Sequence, residues 1–381
     1  MKPIRILQVL TIMNRGGAET MVMNYYRNID RNKVQFDFLL HRQERGVFDD
    51  EIESLGGKIH RLQNISFRNL SGYRKALDHF FQHHPEYQIV HSHLNALSTF
   101  VLKSAKKQGV KTRIAHSHTS LYNLNLNPFS KNRHSLNFAF RFFAQNMLKK
   151  QVPKYANYYY SCGDKAGQWL FGKKNTQKIK IINNAIDSSK FVYDREQSER
   201  IKKELQIEDT FVIGHVGNFV PEKNHSFLLE IFKEIQREKK DSVLILVGAG
   251  ERAQYEQMTS TLGIEKEVHF LGARNDVPDL LQAIDVFLFP STNEGLPVTL
   301  IEAQAAGLKI IASDEISKEL DITGMIDFVS LSQSPKYWAE LLLKSVNYNR
   351  TNTMNKIIEG NYDIKNNATM LQEFYCNQVN K

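Results

Sequence analysis

From Phe287 to Gly307 the chain reads FLFPSTNEGLPVTLIEAQAAG, and few folds accommodate that order of residues. The apolar run Val286-Phe287-Leu288-Phe289, closed by Pro290 and Ser291, predicts a buried strand of a parallel sheet. A turn through Glu294 and Gly295 follows. Pro297 then opens a predicted helix in which Val298, Ile301 and Ala305 recur at helical spacing until Gly307 stops it. Strand, glycine turn and helix N-terminus together present unpaired backbone N–H groups to an anion, most often a phosphate.

Two carboxylates stand in fixed relation to that anion site. Glu294 lies on the turn, and Glu302 lies five residues past Pro297, about 7–8 Å along the helix axis at ~1.5 Å per residue. Carboxylates repel phosphate but accept hydrogen bonds from sugar hydroxyls on either side of a diphosphate. An ordinary strand–turn–helix also favours acids near its helix N-terminus, through the helix dipole. Beyond the spacing, Glu294-Gly-Leu-Pro…Glu302 resembles the Glu-x7-Glu signature of retaining glycosyltransferases of the GT-B fold, family 4. The resemblance implies an α/β protein of two Rossmann-like, doubly wound domains facing across a cleft. It also implies that Glu294 contacts the donor sugar, that the segment Gly295, Leu296 and Pro297 holds the diphosphate, and that Glu302 binds the ribose.

The totals agree with two domains, since 381 residues exceed one ordinary core. Only Cys162 and Cys376 are present, without metal or disulfide spacing, as in a reducing compartment. The N-terminus lacks the apolar core and cleavage site of a signal peptide, and no run reaches membrane-spanning length, so a cytoplasmic location is expected. Charge is unevenly placed. Residues 1–190 hold 30 Lys+Arg against 12 Asp+Glu, net +18, whereas the remainder is net −9. No acid occurs between Tyr87 and Gly163. A half so basic calls for an anionic partner: a membrane surface, an anionic acceptor or nucleic acid.

Taken in order, Ile4–Leu10 reads as a strand followed by Arg15-Gly16-Gly17-Ala18-Glu19-Thr20 and a helix through Met21, Tyr25 and Tyr26. Glycines after a first strand let backbone approach a ligand closely. The resemblance places Gly16 and Gly17 near the donor diphosphate and the acceptor. Phe36–Leu40 and Lys58–Leu62 are predicted strands. Two more, Ile89–His93 and Arg113–Thr119, each end in His-Ser-His, and ligands in open α/β sheets bind beyond such strand ends. Neither pair has a third ligand at metal spacing, so no metal is expected. By resemblance one histidine here faces the donor sugar, and His118 is preferred to His116 or His93. Tyr122–Ser135 reads as a polar loop. His134–Lys150 reads as a basic amphipathic helix with Leu136, Phe140, Phe143 and Met147 on one face, either covering the core or resting on anionic lipid.

Tyr158–Ser161 and Lys180–Ile182 are the last predicted strands of the first half. Asn183–Asp187 resembles the family's interdomain junction, which sets domains at 1–187 and 188–360, with 361–381 packing back on the first as a helix. The strand Val212–Gly217 leads to Asn218 and Lys223, then a helix from Ser226. In family 4 an Arg is common at the position of Asn218, so one cation for the departing diphosphate is missing, with Arg15 or Arg274 as candidates to replace it. Gly248-Ala249-Gly250-Glu251-Arg252-Ala253 matches G-x-G-x-x-A. It does not follow the first strand of its domain and lacks the ribose-binding acid downstream, which argues against an oxidoreductase. Phe270–Val277 resembles the base-binding segment, with Arg274 at the nucleobase. Lys309–Ser313 is a predicted strand, Asp314–Glu319 a polar turn or helix start, and Lys336–Val346 and Ala368–Val379 predicted helices.

The resemblance implies a retaining glycosyltransferase that takes a nucleotide diphosphate-sugar, UDP before GDP, and moves the sugar to a glycan or lipid-diphosphate acceptor in bacterial capsule or exopolysaccharide assembly. His118, Lys223 and Glu294 are the candidate catalytic residues. Asn218, Arg274, Gly295, Leu296, Pro297, Glu302, Gly16 and Gly17 are the further donor-binding candidates. No cofactor is expected, because no Asp-x-Asp motif stands in the setting of a metal-dependent transferase. The basic half implies peripheral contact with the inner membrane face. The main alternative is a nucleotide-sugar epimerase or hydrolase of the same fold. A phosphorylase would need a much longer chain, and a nucleic-acid-binding protein would show a recognition motif that the basic half lacks.

Overall fold

The computed structural model describes residues 2–65, 69–118, 136–294, 296–345 and 348–379, with side chains from 136 to 141 left aside. The chain forms two compact units, Met1–Ala185 with Ile364–Lys381, and Ile186–Asp363. The division falls at Ala185/Ile186 because Ile186 bridges to Asp363 and donates its N–H to the Tyr362 carbonyl at 2.9 Å. The expected domain limits of 187 and 360 therefore move to 185 and 363, and the returning helix is Ile364–Val379.

The first unit is built on strands β1 (Ile4–Leu10), β2 (Val34–Leu40), β3 (Ile59–Arg61), β4 (Ile89–Ser92), β5 (Thr112–Ser117), β6 (Tyr158–Ser161) and β7 (Ile179–Ile181). They lie in the order β3-β2-β1-β4-β5-β6-β7, all parallel. Burial on both faces explains why β1 and β2 are nearly continuous apolar runs. One face carries Ile6, Phe36, Phe38 and Ile114 against the helices Gly17–Asn28 and Ile364–Val379; Leu7, Val9, Val90 and Ala115 line the other. Tyr375 is fully buried on the first face, its ring 5.9 Å from that of Phe36.

The second unit contains β8 (Phe211–Val216), β9 (Ser242–Val247), β10 (Val268–Gly272), β11 (Val286–Phe289), β12 (Lys309–Ser313) and β13 (Ile326–Val329), in the order β10-β9-β8-β11-β12-β13, again all parallel. Each unit is thus a doubly wound Rossmann-like domain. Strand order reverses between β1 and β4 in the first and between β8 and β11 in the second, where ligands of such sheets bind.

Strand β13 has no counterpart in the sequence reading. It is a four-residue edge strand interrupted by Asp327, which pairs across the ladder with Lys309 at 2.8 Å. A charge in so short a run hides the apolar pattern. Asp314–Glu319 gives only a 3-10 turn, Lys318–Leu320. The loop 122–135 lies outside the described residues. The amphipathic helix runs Leu136–Lys149, and its Phe143 and Met147 are 58% and 72% exposed, so this part of the stripe does not cover the core.

Candidate functional site

At the switch point of the second sheet, the loops leaving β8 and β11 are stitched together. Thr292 donates its N–H to the Glu222 carbonyl at 2.8 Å, and Asn224 Nδ2 donates to the Pro290 carbonyl at 3.2 Å. Asn224 takes the left-handed conformation, φ 56° and ψ 44°, which turns the chain into the helix His225–Glu238. The consequence is a direct meeting of two residues 71 apart in sequence. Lys223 Nζ lies 2.6 Å from Glu294 Oε1, each side chain only 15% exposed. The contact is an ion pair by distance, without hydrogen-bond geometry at that oxygen. The ammonium also lies 4.8 Å from the centre of the Phe289 ring.

The helix after β11 spans Val298–Ala305, with Pro297 in extended conformation as its N-cap. Its start is one residue later than predicted because Pro297 keeps ψ at 96°. Leu296 packs on the domain core and Pro297 is buried, while Gly295 lies outside the described residues. Glu302 retains partial solvent contact, yet burial raises its carboxyl to about 7. Thr299, not singled out in the sequence, places a buried hydroxyl without a partner in the first helical turn. The only signal for it was a hydroxyl two residues after the helix-opening proline. Gly307 ends the helix at φ +68°, where an added Cβ would stand 2.4 Å from the Thr351 carbonyl oxygen.

Asn218 Oδ1 accepts from the Ala249 N–H at 3.1 Å, so this side chain braces the neighbouring turn. That turn holds the G-x-G-x-x-A segment, and its glycines serve close packing. A Cβ on Gly248 would stand 2.0 Å from the Gly217 carbonyl oxygen, and one on Gly250 would meet Phe219. Arg274 is bound to Asp276 through both its Nε and Nη2, and Asp276 holds its guanidinium above the usual value. Its charge is already matched locally, which weighs against Arg274 as a replacement cation. Beneath Lys223, His215 and His225 are buried and leave three ring nitrogens without partners. Burial first, then the Lys223 charge, lowers His225 to about 4.

A cavity of about 660 Å³ opens elsewhere, where β8 and β11 begin, lined by Tyr193, Asp209, Asp285 and Arg350 among others. Arg350 donates to the carbonyls of Leu281, Gln282, Ile284 and Ala306, which makes it a brace for the fold. The carboxyl ends of the strands, not this cavity, carry the convergent chemistry.

In the first unit the two His-Ser-His segments, weighed separately in the sequence, come together. Strands β4 and β5 are neighbours, and alternate residues of each point to one face. His91 Nε2 is 3.1 Å from His116 Nδ1, and His93 Nδ1 is 2.7 Å from His118 Nε2. The nitrogens of His91, His93 and His116 lie within 4.8 Å of one another, a third ligand that linear spacing does not show. A metal there would require His91 and His116 to give up the hydrogen bond between them. Burial lowers His91 and His118 to about 3 and drives His93 and His116 down as well, so all four rings are neutral near pH 7. His118 is the half-buried member. Its backbone N–H donates to Asn95 Oδ1 at 3.0 Å, and its ring Nδ1 has no partner.

Gly16 is the extended N-cap of the helix Gly17–Asn28, and Gly17 opens that helix. Neither has positive φ, and nothing lies within 4 Å of a Cβ added to Gly17. The fold therefore does not demand glycine at 17. Close approach of a ligand would.

Comparison with known proteins gives this geometry a family. Residues 15–190 match the model described as Glycosyltransferase Family 4, and residues 197–362 match that of Glycosyl transferases group 1. The chain is 34% identical over 346 residues to the glycosyltransferase-assigned EpsF protein of Bacillus subtilis (strain 168), covering 90% of this chain and 87% of that one. It is 27% identical to the capsular polysaccharide biosynthesis glycosyltransferase CapH of Staphylococcus aureus, over 99% of each. With the Escherichia coli UDP-Gal:alpha-D-GlcNAc-diphosphoundecaprenol alpha-1,3-galactosyltransferase it shares 30% identity across 53% of this chain and 55% of the relative. Among solved structures, Anabaena Alr3699/HepE in complex with UDP superposes with a TM-score of 0.68 at 19% identity, over 100% of this chain and 97% of that one. Two Rossmann-like domains of the GT-B type, matched along most of their length, make this chain a glycosyltransferase belonging to family 4.

Proposed function

We propose that the protein transfers a sugar, with retention of anomeric configuration, from a UDP-sugar to a lipid-diphosphate-linked glycan during assembly of a bacterial surface polysaccharide. The observation that carries this reading is the Lys223–Glu294 pair at the switch point of the second sheet, beside the N-terminus of the helix that bears Glu302. Before the donor arrives, the ammonium and carboxylate balance one another's charge. A diphosphate then takes the ammonium, together with N–H groups at the helix start, and Glu294 is released to accept from a hydroxyl of the donor sugar. As the bond between the anomeric carbon and the diphosphate breaks, charge grows on the leaving oxygen, and Lys223 stabilises it without an added metal ion. Glu302, once ionised, accepts from the ribose hydroxyls. His118 is assigned to the sugar being moved, and Gly16 and Gly17 to the close approach of diphosphate and acceptor. The leaving phosphate assists deprotonation of the acceptor hydroxyl.

UDP and a lipid-diphosphate acceptor are supported by the Escherichia coli relative, and surface polysaccharide by the Staphylococcus aureus one. No helix among the described residues is long and apolar enough to cross a membrane. Phe143 and Met147, exposed in the basic first half, fit contact with an anionic bilayer surface, where such an acceptor resides.

The test is transfer by purified protein to an undecaprenyl-diphosphate glycan from a panel of UDP-sugars, with and without EDTA. Lys223→Ala and Glu294→Ala should each abolish product while melting as the parent does, and EDTA should leave the rate unchanged. Wild-type turnover in either variant would remove that residue from the reaction.

A further inference from the structure

The histidine cluster does not end with the histidines. Gln8, in the middle of β1 and 1% exposed, sends its amide between two branches. Its Oε1 is 2.9 Å from His93 Nε2, and its Nε2 is 3.4 Å from the hydroxyl of Tyr375 on the C-terminal helix. That hydroxyl lies 2.7 Å from His91 Nδ1. With neutral rings, the amide decides every proton. An amide oxygen only accepts, so His93 carries its proton on Nε2 and offers a bare Nδ1. The bond to that Nδ1 must then be donated by His118, which holds its proton on Nε2 and leaves Nδ1 bare.

Along the other branch, the amide nitrogen only donates, so Tyr375 accepts from it and spends its single proton on His91 Nδ1. His91 therefore donates from Nε2 to His116 Nδ1, and His116 keeps a proton on Nε2. The two nitrogens at the ends of these branches, His118 Nδ1 and His116 Nε2, are the ones that lack partners. Leaving such atoms buried and unpaired carries the desolvation penalty of each, unless a ligand completes them.

We propose that Gln8 is a positioning residue that, directly and through Tyr375, sets the tautomers of His93, His118, His91 and His116, so that His118 meets its ligand as a hydrogen-bond acceptor at Nδ1. The group it suits is a hydroxyl that donates, as on a sugar, and not a carbonyl or phosphate oxygen. This last step rests on the assignment of His118 to the transferred sugar; the tautomers themselves do not. A half-turn of the Gln8 amide would reverse all four rings together, so the arrangement is all-or-none.

Two-bond 1H–15N correlation spectra of the intact 15N-histidine-labelled protein at pH 8 read each tautomer. Wild-type protein should show all four rings protonated at Nε2. In Gln8→Glu both carboxylate oxygens accept, so Tyr375 must turn its proton to the carboxylate. His91 and His116 should then move to the Nδ1–H form while His93 and His118 stay. Tyr375→Phe should leave His93 and His118 unchanged and release only the other branch. Gln8→Leu should lower kcat about tenfold with the UDP dissociation constant unmoved, a split that general loosening would not give. His118 protonated at Nδ1 in wild type, or tautomers indifferent to Gln8→Glu in a variant that melts normally, would overturn the proposal. Tautomers as described together with full transfer by His118→Ala would uphold the hydrogen-bond order and remove its role at the sugar.

Discussion

The two domains share one winding, with a further edge strand in the first, and both gather candidate residues beyond the carboxyl ends of strands at or next to the switch point, yet with opposite chemistry. The second sheet offers an ion pair, Lys223 with Glu294, at the exits of β8 and β11. The first offers four uncharged imidazoles at the exits of β4 and β5. On the proposed reading the charged site binds and neutralises the diphosphate, and the neutral one, its tautomers fixed, distinguishes hydroxyl patterns. The fold dictates where ligands go, and the residues at the strand ends dictate what is done to them.

The largest effect should come from removing charge. Lys223→Ala should lower turnover by at least 10²–10³-fold, the scale for loss of one preorganised group at a developing negative charge. His118→Ala should cost less, because a neutral contact is lost. Product formation under saturating donor ranks the two, and the reverse order would break the comparison.

Glycines sharpen it next. Gly307 is held at φ +68° against the Thr351 carbonyl, so Gly307→Ala should destabilise the protein by about 2–3 kcal/mol, visible as a lower melting temperature of the second domain. Gly17→Ala meets open space and should melt unchanged while transfer falls. One glycine serves the fold; on the proposed reading the other serves the ligand.

Acidity separates the domains more gently. Burial raises Glu302 to about 7, above its ordinary 4.5, so the folded apo protein holds this proton more tightly than the unfolded chain. Its contribution therefore makes stability fall as pH rises from about 4.5 to 7, levelling off above. Donor binding through an ionised Glu302 runs the other way. UDP-sugar affinity should weaken close to tenfold between pH 7.5 and 6, and Glu302→Gln should abolish that slope. The smallest effect belongs to the surface. Phe143→Ser with Met147→Ser should reduce sedimentation with phosphatidylglycerol vesicles several-fold without altering the melting temperature.

Much of the second domain was legible because its motif is local. Glu294, Pro297 and Glu302 lie within nine residues, and hydrophobic period and turn chemistry place them without tertiary information. The approach of Lys223 to Glu294 was not, since it depends on β8 and β11 pairing across 71 residues. In the first domain the His-Ser-His repeats were visible. Their union, however, needs the β4–β5 register, and the Gln8–Tyr375 link spans 367 residues. No linear spacing encodes that link. The stripe through Phe143 and Met147 shows the converse limit, because amphipathic period reveals a face but not what covers it.

The central claim is that the second domain grips the donor diphosphate through Lys223. Calorimetric titration of UDP into wild type, Lys223→Ala and His118→Ala tests it most directly. Lys223→Ala should lose tenfold or more in UDP affinity, whereas His118→Ala should stay within twofold of wild type. Equal UDP affinity in wild type and a folded Lys223→Ala would contradict it.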